Sequence, residues 1–173
     1  MTRLLLDTHL LLWWLSGDPR LPEPVVERVQ APEAEVFVSQ ASLWEMAIKV
    51  SLGRLQVDLP ELERQVPLQG FRWLPIHSTH LLAVAELETD GEHRDPFDRL
   101  LVCQSRTEPM LLLTADRQLR RYGTTVNLVG LTWTPKIEPV LMRASLSARL
   151  GQEKPHETQT PQPRADHPQA ENG

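Results

Sequence analysis

The chain has 173 residues, of which 40% are hydrophobic and 24% charged, enough to bury one core of ordinary size. Its longest apolar run, Leu10–Leu15, is far shorter than the roughly 20 residues that cross a bilayer, so we expect no transmembrane helix. A net charge of −5 argues against nonspecific coating of nucleic acid, but not against an enzyme that reaches phosphates through a bound metal. The single cysteine, Cys103, excludes an internal disulfide, and the first residues lack a signal-peptide pattern, so we expect a cytoplasmic protein.

Strand and helix signals alternate along residues 1–130. In chain order they predict strand 3–6, helices 8–16 and 22–30, strand 35–38, helices 40–52 and 59–68, strand 71–76, helices 79–87 and 96–106, strand 110–113, helix 115–121 and strand 126–129. Strands that alternate with helices favour parallel pairing, with the helices covering both faces of the sheet. The sequence therefore predicts an α/β fold, a three-layer α/β/α sandwich around a central parallel sheet.

The composition changes after Leu150. The last 23 residues contain four prolines and no Val, Ile, Leu, Met, Phe, Trp or Tyr, so they have no apolar surface to bury against the entropy cost of ordering. We expect a folded domain over 1–132, an extension over 133–150 whose pattern allows a helix from Pro139 to Leu150, and a disordered proline-rich tail over 151–173.

The predicted helix 8–16 is apolar at nearly every position and includes the adjacent Trp13 and Trp14. Neighbouring residues of a helix cannot both point straight inward. The tryptophans could belong to the core or face a partner, and we expect part of this helix to be covered by another protein or a second subunit.

Four acids fall where the predicted strands end. Asp7 ends the first strand, Asp116 follows the fourth, and Glu45 lies in the second turn of the helix after the second strand. Asp98 is the third residue of its helix, where a carboxylate also suits the helix dipole. Because sites in parallel sheets gather outside the carboxyl ends of the strands, we expect the four to converge. Four acids at one edge favour a hard cation such as Mg²⁺ or Mn²⁺.

Ordinary structural roles are open for the same acids. Asp7 and Asp116 could cap the helices that they precede, since Asp is a favoured N-cap. Asp95 precedes a proline at the first helical position, so we interpret it as a cap rather than a ligand. Glu45 could pair with Lys49, four residues later, in the favourable order along a helix.

Three arginines follow the last of these acids closely. Arg117, Arg120 and Arg121 could contact substrate phosphates beside the acids, or they could form a solvated helix face. The sequence alone leaves both interpretations open.

Four ordered segments resemble a known family: 5–9 (LLDTH), 38–45 (VSQASLWE), 94–101 (RDPFDRLL) and 112–116 (LLTAD). Together they are similar to a PIN domain, and most of all to the VapC-like toxins of bacterial type II toxin–antitoxin systems. The similarity runs through roughly residues 1–130, in the correct order and spacing.

The resemblance implies a metal-dependent endoribonuclease that hydrolyses RNA phosphodiester bonds with a metal-activated water. It implies that Asp7, Glu45, Asp98 and Asp116 are catalytic and hold Mg²⁺ or Mn²⁺, and that Thr114 orients water or phosphate. It also implies an RNA substrate, a cognate antitoxin that covers the site, and a homodimer.

Two other functions compete with this interpretation. The acids could be caps in a non-catalytic regulatory or interaction module of similar α/β fold. A phosphotransfer enzyme with an aspartate nucleophile is a second alternative, but no second acid stands two residues after Asp7.

Overall fold

The computed structural model describes residues 1–88 and 94–129. In these ranges five strands form one sheet: β1 (Thr2–Leu6), β2 (Ala34–Ser39), β3 (Arg72–Leu74), β4 (Leu111–Thr114) and β5 (Val126–Leu128). The strand order is β3-β2-β1-β4-β5, and every neighbouring pair is parallel. The predicted parallel sheet is confirmed, with β1 at its centre between β2 and β4.

Helices connect the strands in the predicted order. They are α1 (Thr8–Ser16), α2 (Glu23–Val29), α3 (Gln40–Ser51), α4 (Leu59–Leu68), α5 (Ser78–Glu86), α6 (Pro96–Thr107) and a 3-10 helix (Arg117–Tyr122). Within the described ranges, none of them has both the length and the apolar character of a membrane span.

Two predicted elements differ from the structure by more than one residue at an end. The strand expected over 71–76 is only β3, because Pro75 has no N–H to donate to a strand ladder. The helix expected over 115–121 is the 3-10 helix. It starts late because Asp116 caps it by accepting the N–H of Gln118 at 2.8 Å. Gly123 follows it at a φ of 85°.

The two faces of β1 supply the two halves of the core. Leu4 and Leu6 pack on one face with residues of α1 and α3, whereas Leu5 packs on the other face with residues of α6. This alternation follows from the period of two along a strand. Burial on both faces fixes the register of β1 and therefore the height at which the following residue, Asp7, leaves the sheet.

The adjacent tryptophans of α1 occupy different environments. Trp14 is buried and contacts the ring of Phe71, with 5.5 Å between ring centroids. Trp13 is half-buried, and the guanidinium of Arg20 lies 5.2 Å from the centre of its ring. One tryptophan therefore belongs to the core and the other lies at the surface of the domain.

The predictions for the C-terminal part lie outside the described residues. This applies to the extension 133–150, to its helix over 139–150, to the tail 151–173 and to the end of the predicted domain at residue 132.

Candidate active site

Asp7 lies at the junction of the central strand and α1, and its carboxylate is buried. Its backbone N–H donates to the carbonyl of Leu113 on β4, which extends the sheet pairing by one residue. Its Oδ1 accepts the N–H of Leu10 at 2.8 Å, so Asp7 is the N-cap of α1. Its Oδ2 accepts the hydroxyl of Thr114 at the end of β4. The cap and the contact across the strands use different oxygens of one carboxylate.

Glu45 is the second buried acid, with 7% of its surface exposed. The hydroxyl of Thr8 donates to its Oε2 at 2.6 Å. The ammonium of Lys49, one helical turn away, donates to its Oε1. The predicted pairing with Lys49 is therefore present, but Glu45 also bonds to the residue that follows Asp7.

Asp116 reaches the same edge through Thr114. The Oγ1 of Thr114 accepts the N–H of Asp116 at 2.9 Å while it donates to Asp7. The side chain of Asp116 also caps the 3-10 helix, as the capping interpretation predicted. Two threonines therefore join Asp7 to Glu45 on one side and to Asp116 on the other.

Asp95 and Asp98 lie at the start of α6. The Oδ1 of Asp95 accepts the N–H groups of Phe97 and Asp98 at 2.9 and 3.1 Å, so the predicted cap is confirmed. Asp98 is half-buried. The ring of its neighbour Phe97 packs edge-on against Trp44, the neighbour of Glu45, with 5.1 Å between centroids. This contact places the first turn of α6 beside the second turn of α3.

Burial dominates the electrostatics of Asp7. Removal from water raises the pKa of the Asp7 carboxyl, although the hydrogen bonds from Leu10 and Thr114 and the charge of His9 act in the opposite direction. Among residues 1–88 and 94–129, no basic side chain forms a salt bridge with Asp7. The charged form of Asp7 is therefore less favourable here than in water, and a cation close to the carboxylate would stabilise it.

The donor set fits a divalent cation. Across the described ranges, no three His, Cys, Asp or Glu side chains converge in an arrangement ready to hold a metal ion. The buried donors here are nevertheless carboxylate and hydroxyl oxygens, which hard cations such as Mg²⁺ prefer. The hydroxyl of Ser42, one helical turn before Glu45, is buried and has no hydrogen-bond partner within the described part of the chain.

Thr8 and Ser42 were missed by the sequence analysis. A signal for Thr8 was available, because it follows a capping acid at the first position of a helix, where its hydroxyl can reach a neighbouring element. Ser42 had a weaker signal, since it stands three residues before Glu45 and shares its helix face.

The arginines after Asp116 lie on the 3-10 helix, and the side chains of Arg117, Arg120 and Arg121 are exposed. A positively charged surface therefore lies next to the acidic edge of the sheet. This geometry is compatible with both interpretations that the sequence left open.

Known proteins resemble this chain in sequence and in fold. The PIN domain family model matches residues 4–124. Ribonuclease VapC22 of Mycobacterium tuberculosis is 28% identical over 123 residues, which cover 70% of this chain and 93% of the relative. The structure of VapBC2 from Rickettsia felis, bound to a DNA fragment from its promoter, aligns with a TM-score of 0.54 at 16% identity. That alignment covers 73% of this chain and 97% of the matched chain.

The family match covers the strands and helices that carry all four predicted acids. The resemblance noted from the sequence motifs is confirmed, and so is the α/β/α fold that it implied. The chain belongs to the PIN domain family.

Proposed function

We propose that this protein is a metal-dependent endoribonuclease and the toxin component of a type II toxin–antitoxin system. The observation that carries the proposal lies at the carboxyl edge of the sheet: Glu45 accepts from Thr8, the sequence neighbour of Asp7. Asp7 accepts from Thr114, which in turn accepts the backbone N–H of Asp116. The similarity to a ribonuclease of the VapC group supports the RNA substrate.

Asp7, Glu45 and Asp98 would hold the cation, Mg²⁺ or Mn²⁺, and Asp116 would orient water or help to hold a second ion. A bound divalent cation lowers the pKa of water and neutralises phosphate charge. Lys49 already donates to Oε1 of Glu45, so its ammonium would compete with a cation for that oxygen.

The chain's own residues orient the carboxylates of Asp7 and Glu45 and bury them away from water. Thr114 holds Oδ2 of Asp7, and Thr8 holds Oε2 of Glu45, so neither carboxylate rotates freely. Asp116 is only half-buried and can reach a water in the open part of the site. In-line attack would form a bond from the water oxygen to phosphorus and break the bond to the 3′ oxygen. The products would be a 5′-phosphate and a 3′-hydroxyl.

A surface beside the acids supports the proposed antitoxin partner. A cavity of about 460 Å³ lies between α1, α3 and α4, with apolar side chains that include Leu12, Trp13 and Leu55. Thr8 and Lys49, which both bond to Glu45, also line it. We propose that the antitoxin covers the site from this side, that the protein forms a homodimer, and that it acts on RNA in the cytoplasm.

A non-catalytic module is the second candidate, because Asp7, Asp95 and Asp116 each cap a helix. Caps alone do not require Glu45 and Asp7 to be buried at the same edge. Cleavage of single-stranded RNA with and without Mg²⁺ distinguishes the two functions.

Substitution of the acids tests the site directly. We expect Asp7→Asn, Glu45→Gln and Asp98→Asn each to lower Mn²⁺-dependent RNA cleavage by roughly a hundredfold or more, since metal charge stabilisation contributes several kcal/mol. Asp95→Asn is the matched control, because Asn caps a helix about as well as Asp. Gel assays of a labelled RNA measure the rates. An inactive Asp95→Asn beside an active Asp98→Asn would refute our choice of ligand.

The charge of Asp7 should be visible in thermal stability. Burial raises the pKa of Asp7 in the folded state above its unfolded-state value of about 3.9. The free energy of unfolding therefore falls as the pH rises from the unfolded-state pKa through the folded-state pKa, and it stays lower at higher pH. In EDTA at pH 7 we therefore expect Asp7→Asn to melt higher than wild type. The difference should shrink below about pH 3.9. Added Mn²⁺ should raise the melting temperature of wild type more than that of the variant.

Asp18 provides a control for this melting experiment, because its pKa is shifted in the direction opposite to that of Asp7. Its hydrogen bond from Arg20 lowers the pKa of the Asp18 carboxyl, so charge at this position favours the folded state. Asp18→Asn should not raise the melting temperature at pH 7. Equal behaviour of Asp7→Asn and Asp18→Asn would contradict a special environment at Asp7.

The arginines should contribute to RNA binding through phosphate contacts. For a single strand, the slope of log K against log salt changes by about 0.7 for each phosphate neutralised. We expect Arg117→Gln and Arg120→Gln each to reduce the slope by about this amount, measured by fluorescence anisotropy with inactive Asp7→Asn protein. Arg64→Gln is the control, because Arg64 lies on α4 and pairs with Glu61. An unchanged slope in both test variants would favour a solvated helix face.

A further inference from the structure

Gln104 of α6 is fully buried, and each end of its side-chain amide has a partner. Its Oε1 accepts the hydroxyl of Ser39 at 2.6 Å, and its Nε2 donates to the carbonyl of Pro75 at 3.3 Å. A carbonyl can only accept, so the second contact fixes which end of the amide carries the hydrogens. Gln104 thus joins α6 to the ends of two neighbouring strands.

His80 completes this buried cluster. The N–H of His77 donates to Nδ1 of His80 at 3.1 Å, and Nε2 of Gln104 lies 3.4 Å from the same atom. Nδ1 is therefore an acceptor and the ring hydrogen is on Nε2, which lies 3.2 Å from a carboxylate oxygen of Glu108. These contacts hold α5 against α6 and leave the Gln104 amide with no alternative orientation.

Ser39 links Gln104 to the helix that carries Glu45. Its Oγ accepts the N–H of Ala41 at 2.9 Å, which caps α3, while its hydroxyl hydrogen goes to Gln104. Glu45 lies six residues after Ser39 on α3, and Gln104 lies six residues after Asp98 on α6. One hydrogen bond therefore joins the two helices that present these acids.

Another contact between these helices is the packing of Phe97 against Trp44. A ring contact of this kind tolerates sliding, because dispersion attraction is weakly directional. A buried hydrogen bond of 2.6 Å tolerates much less, because it weakens steeply with distance and angle. Of these two contacts, the bond from Ser39 to Gln104 thus restricts the position of α6 along α3 more strongly.

We propose that Gln104 is a positioning residue for the metal site: through Ser39 it sets the placement of Asp98 relative to Glu45. The inference rests on the proposed function, because it assigns Asp98 and Glu45 to one cation. Gln104 is not itself proposed as a metal ligand; it acts through the two helices that carry the acids.

The test is Mn²⁺ binding to the full chain by isothermal titration calorimetry, well below the melting temperature of every variant. Gln104→Met keeps the length of the side chain but removes both polar atoms. Ser39→Gly cuts the same bond from the other side and serves if Gln104→Met does not fold; Gly is itself a favoured N-cap residue, so the start of α3 is largely kept. Loss of a group that bonds directly to a metal ligand typically weakens binding by about 10–100-fold; because Gln104 acts one step further out, we expect a loss at the lower end, about tenfold.

Ser105→Ala is the matched control. Ser105 is as buried as Gln104 and adjacent to it, but its hydroxyl bonds only to Val102 within the same helix. We expect Ser105→Ala to bind Mn²⁺ within about twofold of wild type, because it leaves the contacts between the helices intact.

The outcomes distinguish this inference from the proposed function on which it rests. Weakened binding in Gln104→Met or Ser39→Gly, with Ser105→Ala unchanged, supports the inference. Wild-type affinity in either folded test variant, or an equal loss in Ser105→Ala, overturns it and leaves the proposed function intact. A wild-type chain that binds no Mn²⁺ contradicts the inference and the metal dependence together.

Discussion

The carboxylate of Asp7 is buried where the central strand meets the first helix, and the rest of the site is arranged around it. Burying a charged group is costly unless hydrogen bonds or an opposite charge compensate. Here the compensation comes from the N–H of Leu10, which belongs to α1, and from the hydroxyl of Thr114, which belongs to β4. The register of β1 in the sheet is therefore coupled to the orientation of this acid.

Capping and ligand roles do not exclude each other in this molecule. A helix cap needs one carboxylate oxygen, and in Asp7 the other oxygen faces Thr114. The two oxygens of Glu45 also have different partners, because Lys49 bonds one and Thr8 bonds the other. Local helix stability and the placement of the acids thus arise from the same contacts.

Much of the fold was predictable because its signals are local. Apolar runs marked the five strands, and the cap at Asp95 marked a helix start correctly. Differences arose where one residue overrode the pattern, as Pro75 did in shortening β3. The strand order, which brings Asp7, Glu45 and Asp116 to one edge, came only from the structure.

The site was less predictable than the fold because its contacts join distant parts of the chain. The bonds from Thr8 to Glu45 and from Ser39 to Gln104 span 37 and 65 residues. No local spacing encodes such pairs, so the sequence could indicate the acids but not the hydroxyls and the amide that hold them.

The most direct test of the account is anomalous scattering from crystals grown with Mn²⁺. The account predicts a manganese peak bonded to carboxylate oxygens of Asp7 and Glu45, whereas a well-ordered site without such a peak at saturating Mn²⁺ would contradict it.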